Sequence, residues 1–118
     1  MNTIASICAK KLYEILETLT EINQSNNLSE GYNCAVFCIK DGIKTRIDLI
    51  GKFCDKNDTN STCAIICLDQ IENLIVILDE CINDANGLFK EGFEKAVTKF
   101  KADLENIIQW LNEEAQIK

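Results

Sequence analysis

The chain has 118 residues, 47% of them hydrophobic, with seven cysteines and neither histidine nor proline. Its 19 acidic and 12 basic residues leave a formal charge of −7, the wrong sign for a nucleic-acid backbone or an anionic membrane. Length and apolar content suit one domain with one core, and no apolar run, Leu74 to Leu78 included, approaches the roughly 18 residues of a membrane span.

Apolar residues at alternating steps of three and four predict four helices. The first covers about 3–22, on the stripe Ala5, Cys8, Leu12, Ile15, Leu19 and Ile22. A polar segment from Asn23 to Asn27 interrupts it, and Ser29 followed by Glu30 offers a cap with acidic charge in the first turn of a second helix over 30–53. That helix carries Tyr32, Val36, Ile39, Ile43, Ile47, Ile50 and Cys54 on one side. The loop Asp55 to Asn60 contains no apolar residue, and Ser61 or Thr62 can cap a third helix over 62–83. Its stripe is Ala64, Cys67, Ile71, Leu74, Leu78 and Cys81; Ile75, Val76 and Ile77 make it apolar around much of its circumference, so it is expected to be the most buried.

Asn86-Gly87 is a plausible stop before a fourth helix over 88–112, striped by Phe89, Phe93, Ala96, Val97, Phe100, Leu104, Ile107 and Leu111. Glu91 with Lys95, and Lys101 with Glu105, place opposite charges four apart on its outer faces. Short loops force neighbours to run antiparallel. The predicted fold is therefore all-α: a single-domain up-down-up-down four-helix bundle over residues 1–118, stapled by disulfides.

In such a bundle the distance of a residue from the nearest loop sets its height, and height decides which cysteines can approach within the roughly 4.4–6.8 Å Cα separation of a disulfide. Cys54 and Cys63 flank one loop and are predicted to pair. Cys8 and Cys67 lie equally far into two parallel helices and form the second candidate pair. Cys81 is level with the start of the second helix, so Cys34 or Cys38 is its partner, and the other of the two is left over. An odd thiol in a secreted protein suggests an intermolecular bridge, here a homodimer, or a free reactive group; the alternative is an inert buried cysteine. Cys34 and Cys38 fall away from the apolar stripe, where a merely packed cysteine would not be expected, whereas Cys8, Cys67 and Cys81 fall on stripes.

Cysteine density this high in a small domain is typical of oxidising compartments. The residues after Met1 lack the pattern of a secretory signal, which taken literally means the cytosol; a mature secreted chain behind an initiator methionine would read the same, and an extracellular location is the expectation. Four Asn-x-Ser/Thr acceptors, at Asn23, Asn27, Asn57 and Asn60, are candidate glycosylation sites in the predicted loops.

Catalytic and metal chemistry finds little footing. Two CxxxC pairs, Cys34 with Cys38 and Cys63 with Cys67, have the form of a four-thiolate metal site or of the twin CxxxC hairpins of mitochondrial intermembrane-space chaperones. Bringing them level would put the hairpin turn near Gly51 rather than at the polar loop. The segment from Asp55 imitates half of a calcium loop and then fails, with Asn60 for the glycine and Ile66 for the glutamate. With no histidine base, phosphate loop or paired carboxylates, no enzyme, metal or cofactor is expected.

The spacing of Cys8, Cys34, Cys38 and Cys81 is similar to that of the first four cysteines of insect odorant-binding proteins. That resemblance covers four of the family's six cysteines; Cys54, Cys63 and Cys67 are additional. It implies carriage of a small hydrophobic ligand in a helical shell, for which Tyr32, Phe37, Phe89, Phe93, Phe100 and Trp110 are the aromatic candidates for a pocket. The leading expectation is a non-enzymatic secreted protein that binds another protein, of the salivary, venom or parasite-effector kind. A ligand carrier is the alternative, and a cytosolic oligomeric bundle with reduced cysteines is the third.

Overall fold

A computed structural model of the chain describes residues 3–54 and 60–116. Among them are four α-helices and no strand: α1 (Ile4–Thr18), α2 (Asn27–Phe53), α3 (Asn60–Asp84) and α4 (Gly87–Gln116). They pack as an elongated bundle with principal extents of 49 × 24 × 22 Å. Side-chain contacts give the directions. Ala5 and Cys8 of α1 meet Cys63 and Cys67 of α3, so these two run parallel. Cys54 meets Cys63 while Arg46 reaches Gln70 higher up, so α2 and α3 are antiparallel. Asp79 of α3 pairs with Lys101 of α4, and Lys11 of α1 lies 5.3 Å above the Trp110 ring of α4.

The first boundary differs from expectation. α1 stops at Thr18 rather than 22, because the Thr18 hydroxyl turns back onto the carbonyl of Ile15 (2.8 Å) and residues 19–25 leave the helix. The apolar period outlives the helix: Leu19 is buried and Ile22 half-buried in non-helical chain. Asn33 of α2 holds that chain down. Its side-chain carbonyl accepts the Ile22 N–H at 2.7 Å and its amide donates to the Ile22 carbonyl at 2.9 Å, satisfying both backbone groups of one residue.

The remaining boundaries shift outward. Asn26, not Ser29, caps α2, accepting the Ser29 N–H at 2.8 Å, and Ser29 becomes a buried residue of the first turn. α3 begins at Asn60 instead of 62, and α4 runs four residues past 112. Gly87, at φ +64, makes the tight passage from α3 to α4 that Asn86-Gly87 foretold. The polar stretch Asp55 to Thr59, with its calcium-loop likeness, lies outside the described residues.

The closest contact in the bundle joins α2 and α4. α2 and α4 run parallel, and their N-terminal turns touch backbone to backbone: a Cβ on Gly31 would overlap the Phe89 carbonyl, and one on Gly92 would overlap the Leu28 carbonyl. Ala35 and Ala96, one turn further along each helix, are completely buried and continue this seam of small residues. Below it the helices splay enough for Val36, Ile39, Ile43, Val97, Phe100, Leu104 and Leu111 to fill the core. α3 is not the most buried helix. Its surplus apolar residues Ile65, Val76 and Ile77 face solvent, outside the faces that α1, α2 and α4 cover. Lys101 reaches Asp79 rather than Glu105; both partners are about half exposed, so the pair contributes little.

Three substitutions test this packing. Gly31→Ala should lower stability in urea unfolding by about 1–3 kcal/mol, because the atom it meets is backbone and cannot rotate away. Gly51→Ala, with nothing within 4 Å of its Cβ, should raise stability by roughly 0.5–1 kcal/mol; equal effects would show that the helices do not approach closely. Asn33→Ala should cost about 1–3 kcal/mol and expose the Ile22 amide to fast hydrogen exchange.

Candidate functional site

The helices gather the seven cysteines into two groups at opposite ends. At one end Cys54 follows the last turn of α2, its N–H donating to Ile50 (2.9 Å), while Cys63 and Cys67 occupy the first two turns of α3. The three Sγ atoms lie within 4.8 Å of one another. Cys54 and Cys63 are in thiol–thiol contact at 2.8 Å. Cys8 of α1, fully buried, is hydrogen-bonded through its thiol to Cys67. At the other end Cys38 is hydrogen-bonded to Cys34 and lies close to Cys81. These three line an open groove of about 270 Å³ with Asp84, Ala85, Phe89 and Phe93.

The two candidate pairs at the first end are thus thiol neighbours, and the two possible partners of Cys81 stand together at the second. All seven are free thiols in this structure. The twin CxxxC arrangement does not form, because Cys34 and Cys38 belong to the end opposite Cys63 and Cys67. Cys81, expected on a buried stripe, is exposed, as is Cys34, while Cys38 is half-buried.

Burial dominates the electrostatics. It pushes the Cys38 thiol up to about 11, with Cys34, Cys81 and Asp41 adding to the effect. Cys54 is raised by burial and then by its hydrogen bond to Cys63. Cys67 is raised first by its hydrogen bond to Cys8 and then by burial. Cys63 is also raised by burial, opposed by hydrogen bonds from Cys54 and from the Ala5 backbone N–H. Thiols held in the protonated form are poor nucleophiles, which weakens Cys38, Cys54, Cys63 and Cys67 as attacking groups.

The aromatic candidates do not converge on one cavity. Phe93 and Phe100 are core residues, and the Phe89 and Phe93 rings stack at 6.4 Å beside the Cys34 groove. Phe37 is 67% exposed and lines a different groove of about 260 Å³ with Gly42, Leu74, Ile77 and Cys81. Tyr32 packs at the edge of the core, and Trp110 sits at the far end beneath Lys11. Of the glycosylation candidates, Asn23 is exposed in the non-helical segment, Asn27 is exposed at the start of α2 with its Ser29 buried, and Asn60 begins α3; Asn57 lies outside the described residues.

Periodicity did not single out Arg46, whose side chain is buried between α2 and α3 and donates to the Gln70 carbonyl at 3.3 Å. Nor did it bring Cys54 together with Cys67; the i, i+4 relation of Cys63 and Cys67 beside a loop-flanking Cys54 was the available signal.

In the reduced protein, ultraviolet thiolate absorbance at pH 10 should show less than half of the cysteines ionised, against nearly all in urea. The raised groups keep their protons when folded and lose them when unfolded. Stability should therefore be fully present below about pH 9 and fall as pH rises toward 11. Equal native and urea titrations would contradict the burial.

No protein-family model matches the chain, and it matches neither a curated protein nor a solved structure. The likeness to insect odorant-binding proteins is accordingly one of cysteine spacing alone.

Proposed function

We propose that the protein is a secreted, non-enzymatic helical bundle, stapled by disulfides, that acts by binding a partner protein in the manner of an effector. The observation that carries this reading is the sorting of seven thiols into two contact groups at opposite ends. Cys54–Cys63 and Cys8–Cys67 join α1, α2 and α3 at one end, and Cys38–Cys81 ties α2 to α3 at the other. Cys38 is favoured over Cys34 because it is half-buried with its sulfur between both neighbours, whereas Cys34 is exposed. Closing the long stretch of chain between Cys8 and Cys67 would stabilise the fold by roughly 4 kcal/mol, and the short one between Cys54 and Cys63 by less than about 3 kcal/mol.

The surface supports binding rather than catalysis. Phe37 and Ile77 expose apolar area along one α2–α3 groove, and Val76 of α3 and Leu88 of α4 are each more than half exposed. The grooves are open and small, which speaks against an enclosed ligand chamber. Among the described residues no helix is long and apolar enough to cross a membrane.

Non-reducing peptide mapping of the secreted protein is expected to recover Cys54–Cys63, Cys8–Cys67 and Cys38–Cys81. Cys34 should be alkylatable or found in a covalent homodimer. Seven freely alkylated thiols under native conditions would overturn this reading in favour of a reduced, cytosolic bundle.

A further inference from the structure

We propose that in the reduced chain Cys54, Cys63 and Cys67, completed by Cys8, form a thiolate site for a soft divalent cation, zinc(II). The inference does not rest on the secreted reading. It uses the sulfurs that the bridges would use, so metal and disulfides exclude each other at this end of the bundle.

The donor set is the first argument. Three Sγ atoms already lie within 4.8 Å of one another, and Cys8 stands beside Cys67 just outside that group, close enough to act on its thiol. Zinc–sulfur bonds of about 2.3 Å in a tetrahedron place sulfurs about 3.8 Å apart, so Cys54 and Cys63, now 2.8 Å apart, part by about an ångström while the wider separations draw in by about as much at most. Sulfur is the only donor type in this group, and the chain has no histidine. An all-thiolate set selects zinc over hard cations such as magnesium or calcium.

The second argument is the polar surroundings of the sulfurs. The Ala5 backbone N–H donates to the Cys63 sulfur. Ala5 is the second residue of α1, and its N–H is one of the orphan donors of a first helical turn; Thr3 satisfies Ser6 instead. An unclaimed helix N–H aimed at sulfur is the outer-shell contact that stabilises a metal-bound thiolate. The N-terminal turns of α1 and α3 both end here, and their positive dipole ends offset part of the charge that deprotonation leaves.

The step balances without a redox partner. Four S–H bonds break, four zinc–sulfur bonds form, up to four protons go to solvent, and the occupied site carries a charge of about −2. Affinity must therefore rise with pH.

Cobalt(II) is the probe, titrated anaerobically into the fully reduced, full-length chain with helicity followed in parallel. The expected result is one equivalent of cobalt, the charge-transfer and intense visible bands of tetrahedral thiolate coordination, and displacement by zinc(II). Cys54→Ser, a change at the half-exposed edge, should weaken binding by more than the roughly 10- to 100-fold that outer-shell changes cost. The triple variant Cys34→Ser, Cys38→Ser, Cys81→Ser should keep the spectrum. No tetrahedral spectrum from the helical reduced chain, a spectrum that follows the Cys34 group, or loss of helicity that metal does not restore would each overturn the site. The peptide map is blind to these results: bridges without a cobalt spectrum remove the metal site alone, and free thiols with one remove the secreted reading alone.

Discussion

The backbone contact between α2 and α4 is the constraint on which the rest of the bundle depends. Gly31 and Gly92 each face the other helix's carbonyl, so these two parallel helices close on each other at their N-terminal ends. A carbonyl facing a glycine Cα also permits weak Cα–H···O contact, which recurs at such crossings. With two helices this close, α1 and α3 are displaced to the flanks, and α1 need not be long. Its 15 residues cover only one end of partners that run 25 to 30.

That asymmetry explains the devices at the two ends. Where the glycines meet, backbone contact holds α2 to α4, and the segment after α1 is clamped by Asn33 rather than by helix packing. At the opposite end the helices have no glycine seam, and the sulfurs of Cys8, Cys54, Cys63 and Cys67 take its place in joining α1, α2 and α3. The capping box of Thr3 and Ser6 sits beside them and fixes the start of α1, and with it the height of Cys8.

Much of this was legible from residue order, and what was not has physical causes. The stripe of α4 translated directly, because Phe93, Val97, Phe100, Leu104 and Leu111 bury on a helix with neighbours along its whole length. The stripe of α1 overran its helix because Leu19 and Ile22 keep their apolar contacts through non-helical chain; burial is recorded by periodicity, helicity only by inference. The surplus apolar residues of α3 misled for the converse reason, since an apolar wheel says nothing about how many neighbours arrive. Height in an antiparallel bundle is simple arithmetic, so the grouping of the cysteines survived errors of several residues in the boundaries. The glycine crossing was invisible to that arithmetic: a glycine within a helix reads as a weak position until its opposite number is known.

A buried thiolate is costly, so four sulfurs packed together at one end must be neutralised in one of three ways. Protonated, they act as small apolar side chains, and their contribution is lost at alkaline pH as the protons leave. Bridged, they restrict the unfolded chain, most strongly across the long interval from Cys8 to Cys67. Bound to metal, they couple folding to the ion and release protons instead. All three place Cys8 against Cys67 and Cys54 against Cys63, so all three accept the same helix positions. The fold is therefore indifferent to the choice, while its stability and its response to pH are not. The state of the cluster is therefore expressed as resistance to unfolding at the end of the bundle where α1 begins.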